Sequence, residues 1–134
     1  MSMLFIDQTK LQLENMNHFN YWPEFEKEFA CLLKKYRSLA EDLKSFEKVI
    51  FTMPTGSGKN FTIIHNSEEV KIIKARMMCK YLHNRNIRII YAYHHKTFEF
   101  MYLEIYFKGA QANEDRARIR DYLKKLNPAR PRAN

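Results

Sequence analysis

Six side chains in the second half of this sequence have types and spacings suited to handling a phosphodiester: Lys74, Arg76, Arg88, Glu104, Tyr106 and Lys108. Residues two apart in a strand share a face. Lys74 and Arg76 therefore project together, and so do Tyr102, Glu104, Tyr106 and Lys108, leaving Leu103, Ile105 and Phe107 for a core face. Arg88 shares a face with His94, and Tyr91 and Tyr93 take the other, as core residues. With aligned registers, one sheet surface holds the whole set. Metal-free RNA cleavage needs a base for the 2′-OH, an acid for the leaving 5′-oxygen, and cations around a phosphorane-like transition state. Glu104 is the candidate base, its pKa lowered by neighbouring cations and raised by partial burial. Lys74, Arg76, Arg88 and Lys108 would stabilise charge, and Tyr106 or His94 would supply a proton or a stacking face. An equally weighted reading makes Glu104 a structural ion-pair partner of Arg76 or Arg88. Lys80, Arg85 and Arg116 extend the basic set as substrate-binding candidates.

The charge distribution points the same way. Residues 74–134 hold 14 Lys and Arg against 5 Asp and Glu, whereas residues 1–73 hold 9 against 10, so the net charge of +8 lies in the second half. A one-sided excess of this kind is a polyanion footprint. At 134 residues, 46% apolar, the chain is long enough for one domain with a core and does not read as a disordered basic tail. Cys31 and Cys79 are far apart and read as free thiols in a reducing compartment. The first residues lack a basic region followed by an apolar run, and no window approaches a membrane span, so a cytoplasmic protein without membrane association is expected. His94 and His95 lack a third ligand at useful spacing, so neither a metal nor another cofactor is expected.

The elements that must position these residues are legible in outline. Residues 1–18 are an extension or edge strand, with a short strand at 4–7 or 11–16. Pro23 opens a helix, where its missing N–H costs nothing. Apolar residues then recur at Phe25, Phe29, Leu32, Tyr36, Leu39, Leu43, Phe46 and Ile50, a single helical stripe. One helix of that length would be about 40 Å long. Ser38 followed by Glu41 is a capping-box signature, so the stripe is predicted to break into a helical hairpin, 23–37 and 38–51. Strands follow at 61–65, 70–78, 87–94 and 98–107, and their short connections imply antiparallel neighbours. A final helix runs from an Asn113 N-cap to Leu126, with Glu114 and Asp115 in its first turn. Residues 127–134 read as a flexible tail.

The only glycine-rich loop, MPTGSGKN at 53–60, matches the phosphate loop of helicase-type ATPases in letters. Asn60 stands where a Ser or Thr should hold magnesium, and the following FTIIHN reads as a strand where a helix is required. The loop is therefore taken as a connection between helix and strand, with ATP binding as a minor alternative.

K-A-R on one strand, R-I-I-Y on the next, L-E-I-Y-F-K-G on the last and N-E-D-R-x-R-I at a terminal helix, in that order after a helical hairpin, resemble the RelE/ParE superfamily of toxin-antitoxin toxins. The resemblance covers about 19–126. It implies an α+β fold: an N-terminal helical hairpin packed on a small antiparallel sheet of four to five strands, with a C-terminal helix. It further implies a metal-independent endoribonuclease that cleaves mRNA, in many members on the ribosome, neutralised by a cognate acidic antitoxin; the ParE branch inhibits gyrase instead. Lys74 and Arg76 fall on the basic pair that grips the scissile phosphate, Arg88 on the arginine of the R-x-x-Y strand, and Lys108 near the basic residue after the last strand. Ile72 stands where other members often carry a further lysine, and the C-terminal catalytic tyrosine of the family has no secure match.

Overall fold

The computed structural model describes residues 18–126. The elements are β1 (Phe19–Tyr21), α1 (Pro23–Lys35), α2 (Leu39–Thr52), β2 (Phe61–Asn66), β3 (Lys71–Cys79), β4 (Asn84–His94), β5 (Glu99–Phe107) and α3 (Arg116–Leu126). The strands form one sheet in the order β1-β5-β4-β3-β2. From β2 to β5 every neighbour is antiparallel, as the short turns require, while β1 runs parallel to β5. The fold is thus a mixed α+β sheet flanked by helices. β1 was not anticipated: three residues carry no readable alternation. The strand expected at 4–7 or 11–16 and the tail at 127–134 lie outside the described residues.

Each face of the sheet has its own core. One carries Ile73, Ala75, Ile89, Tyr91, Tyr102 and Ile105 beneath Phe25 of α1 and Leu39, Phe46 and Ile50 of α2. On the other, Ile72, Ile90, Ala92 and Leu103 meet Ile119 and Tyr122 of α3. Toward the far ends of β3 and β4 this second face carries Arg76 and Arg88 in place of apolar residues.

The apolar stripe of the first half does break between α1 and α2, but the capping box does not form. Ser38 makes no side-chain cap bond to the helix backbone. Its hydroxyl donates to Asp42 Oδ2 at 2.6 Å and accepts the Tyr81 N–H at 2.9 Å, tying the helix break to the β3–β4 connection. The final helix also starts later than expected. Asp115, not Asn113, is the capping residue: its Oδ1 accepts the Arg118 N–H at 3.1 Å.

A bulge in β5 alters the expected alternation. Ile90 pairs with Glu104 but Tyr91 pairs with Tyr102, leaving Leu103 as the extra residue. Tyr102 is therefore turned to the face opposite Glu104 and stacks on Phe25 with ring centroids 5.0 Å apart. Leu103 joins the α3 side. The bulge separates Tyr102 from Glu104 and Tyr106, with which simple alternation would have aligned it.

Candidate nucleic-acid interface

Where β2, β3 and β4 meet the start of α3, the sheet holds a cleft of about 300 Å³ lined by Lys59, Lys74, Arg76, Arg88, Lys108 and Arg116. Five of these were selected from the sequence. Lys74 and Arg76 come from alternate positions of β3 and Arg88 from β4, where it is paired directly with Arg76. Like charges directly opposite on a sheet destabilise it. Arg88 is also 8% exposed, and burial followed by the Arg76 charge pulls its pKa down. Its guanidinium donates to the Arg85 carbonyl. Among the described residues, no carboxylate lies within ion-pair distance of Arg76, Arg88 or Lys108. Lys108 Nζ donates instead to the Ala112 carbonyl at 2.7 Å.

The carboxylate lining this cleft is Glu114, which precedes α3 instead of lying in its first turn. It accepts Lys74 Nζ at 2.9 Å and Arg116 Nη2 at 2.8 Å, with its side chain almost fully buried. Burial raises its pKa, but the Lys74 hydrogen bond and the two cations outweigh this and hold the carboxyl below its ordinary range. Lys74 is itself about three-quarters buried, so the pair is well shielded from water.

Glu104 and Tyr106 are not brought to the cleft. Glu104 lies beneath the start of α3, where its Oε1 accepts the Asp115 N–H at 2.8 Å and its Oε2 accepts Gln111 Nε2 at 2.7 Å. Burial raises its pKa despite these bonds. It pairs with neither Arg76 nor Arg88; both proposed partners belong to the cleft, and the segment that leads into α3 claims Glu104 instead. Tyr106 is 4% exposed within the core under α3. Its hydroxyl meets no partner at hydrogen-bond geometry among the described residues, though Lys74 is near enough to oppose the rise in pKa that burial causes. His94 sits elsewhere, beside Asn20 and Glu99, and hydrogen bonds to the Tyr122 hydroxyl. Burial depresses its pKa.

Lys80 and Arg85 line a second groove, with Arg76 and Asn60 shared between it and the cleft. Lys59 belongs to the glycine-rich loop, which leads into β2 and not into a helix, so no helix N-terminus faces it. Gly56 turns the loop at φ 67°, and a Cβ there would run into the Phe61 ring. Lys59 is a cleft residue that no strand pattern marks, because it lies in the loop ahead of β2. Arg118 likewise has a role that no sequence pattern marks. It clamps α3 to α1 with two parallel hydrogen bonds to Glu28, at 2.9 and 2.8 Å, and a third to the Leu103 carbonyl.

Among the described residues no helix is long and apolar enough to cross a membrane, and no group of three His, Cys, Asp or Glu side chains is placed to hold a metal. Cys31 is exposed and Cys79 buried, both as free thiols.

The fold is RelE-like. It is similar to that of a chain in the crystal structure of the archaeal RelE–RelB complex from Pyrococcus horikoshii OT3, with a TM-score of 0.54 and 15% sequence identity over 70% of this chain and 97% of that one. No protein-family model matches the sequence. No curated protein matches it either.

Proposed function

We propose that this chain is a toxin of a toxin-antitoxin system, a metal-independent endoribonuclease that cleaves mRNA on the ribosome in the cytoplasm and is neutralised by an acidic antitoxin. The observation that carries this reading is the buried Arg88, opposed by Arg76 and without a counter-ion among the described residues, in a cationic cleft of a RelE-like fold. A buried cation is costly unless an anion compensates it, and a backbone phosphate would do so. Residues 19–126 act as one unit, with α1 and α2 as its helical hairpin. Arg76, Arg88, Lys108 and Arg116 would stabilise the charge that develops on the phosphate. Proton transfer falls to the Lys74–Glu114 pair, because Glu104 is already engaged with the start of α3. A phosphate that draws Lys74 away frees one Glu114 oxygen to take the 2′-OH proton as O2′ attacks phosphorus, and the Lys74 ammonium gives a proton to the departing 5′-oxygen as the P–O5′ bond breaks. The antitoxin partner is supported by the RelE–RelB complex that the fold resembles and by the chain's positive charge.

Induction in a bacterial host with primer-extension mapping of mRNA ends tests this directly. Cuts within codons are expected, and their absence during growth arrest overturns the nuclease reading. A second reading, a ParE-like gyrase inhibitor or other non-catalytic binder, is favoured by one observation: both oxygens of the carboxylate in the cleft are already ion-paired. It predicts inhibition of DNA supercoiling without RNA cuts.

A further inference from the structure

β2 begins at Phe61, opposite Ala75, and the last bond on that side of β3 runs from the Arg76 N–H to the Asn60 carbonyl at 2.9 Å. Beyond Arg76 the outer edge of β3 has no strand beside it among the described residues. The gap opens a groove of about 280 Å³ between this edge and α2, walled by Val49, Phe61 and Met78 and flanked by Lys80 and Arg85. Val49 and Met78 are each 42% exposed, an unusual outlay of apolar surface beside so many charges. Arg85 reaches back to the Arg76 carbonyl at 3.2 Å, and among the described residues neither Lys80 nor Arg85 has a carboxylate within ion-pair distance. The Asp42 carboxylate at the groove is buried and accepts the Ser38 hydroxyl and the Lys80 N–H. Arg76 and Asn60 line both this groove and the catalytic cleft.

From these observations we infer that the groove is a subsite for the nucleotide flanking the scissile phosphate: its base lies on Val49, Phe61 and Met78, and its phosphate meets Lys80 and Arg85. Single strands are bound in this manner, by a cationic track beside apolar or aromatic platforms. Arg76 joins the two sites, so the RNA passes from the cleft over the end of β2 into the groove. An added protein strand is the lesser fit. The open edge spans residues 77–79, too short for a ladder. The inference rests on the proposed RNA-cleaving function.

The test uses the full chain and a ladder of 2′-O-methyl oligoribonucleotides of increasing length, which cannot be cleaved, with binding read by fluorescence anisotropy at several salt concentrations. Wild-type affinity should rise with length. In Lys80→Ala/Arg85→Ala that rise should stop early, and the salt slope for the longer RNAs should fall by about 1.4, at about 0.7 per lost cation on a single strand. Met78→Glu, at an exposed position, should lose at least about fivefold on the longer RNAs, the lower bound for removing one base platform. If both variants follow the wild-type length dependence while Arg88→Met binds every length more weakly, the groove proposal fails and the cleft reading stands. If the wild-type protein binds no RNA of any length, both fail. If the groove variants lose affinity for oligoglutamate but not for RNA, the groove is a protein-binding site and the proposal is overturned.

Discussion

Arg88 lies directly opposite Arg76 across the β3–β4 ladder, and no carboxylate among the described residues comes within ion-pair distance of either. The pairing stores repulsion that an anion would relieve. A structural explanation would require a counter-ion, and the nearest candidates are otherwise engaged: Glu114 with Lys74 and Arg116, Glu104 with Gln111 and the start of α3.

Replacing Arg88 by Met should separate function from stability. The thermal midpoint should hold or rise, because a buried charge and a like-charge pair are removed. RNA cleavage should fall about 10²- to 10³-fold, the loss typical of one donor to a developing anion. Differential scanning fluorimetry and cleavage of a labelled message in a translating extract measure the two effects. A destabilised but fully active variant would reverse the assignment.

Glu114→Gln should bind phosphate and RNA more tightly and cleave RNA more slowly, since it frees Lys74 but removes the proposed base. The same variant has a pH signature. The folded carboxyl is held below its unfolded value of about 4.3, so its stabilisation is complete above that pH and is lost as pH falls through the lower folded value. Wild-type stability should therefore decline more steeply below about pH 4.3 than that of Glu114→Gln, as thermal midpoints across an acid series will show.

Glu104→Ala should cost about 1–3 kcal/mol, because it removes two hydrogen bonds to a buried carboxylate, from the Asp115 N–H and the Gln111 amide. Cleavage per folded molecule should be unchanged. Urea unfolding together with activity normalised to folded protein separates these, and a loss of specific activity without a loss of stability would restore Glu104 as a base.

Breaking the Arg118–Glu28 clamp with Arg118→Ala should destabilise the protein by about 3 kcal/mol, as expected when one partner of a shielded ion pair is removed. Arg118→Lys should recover little, since a point charge cannot reproduce the paired hydrogen bonds. Chemical denaturation of the three proteins gives the ranking.

Lys59→Ala should leave the thermal midpoint unresponsive to ATP, as in the wild type, and should lower the salt slope of RNA binding by about 0.7. An ATP-induced stabilisation of the wild type, lost in the variant, would instead revive the nucleotide-loop reading.

Much of this protein is legible in its sequence because local rules suffice for it. Alternation in β3 put Lys74 and Arg76 on one face, and the short turns made β2 to β5 antiparallel neighbours. The stripe from Phe25 to Ile50 identified a helical layer. Arg88 was recognisable from its place in the R-I-I-Y strand. Local rules do not suffice where one inserted residue or one distant partner decides the outcome. A bulge at Leu103 turns Tyr102 to the face opposite Glu104 without leaving a mark in residue types. Asp115 rather than Asn113 caps α3, because Asp115 also gives its own N–H to Glu104, eleven positions earlier in the chain.

The sequence by itself determined the ingredients: a basic second half, alternating strands and the cations at 74, 76, 88, 108 and 116. Only the tertiary structure decided which carboxylate stands among them. Strand alternation fixes the side of the sheet on which a residue emerges, but proximity across elements depends on register and helix placement. The late start of α3 therefore engages Glu104 through Asp115 and Gln111 and sets Glu114 against Lys74.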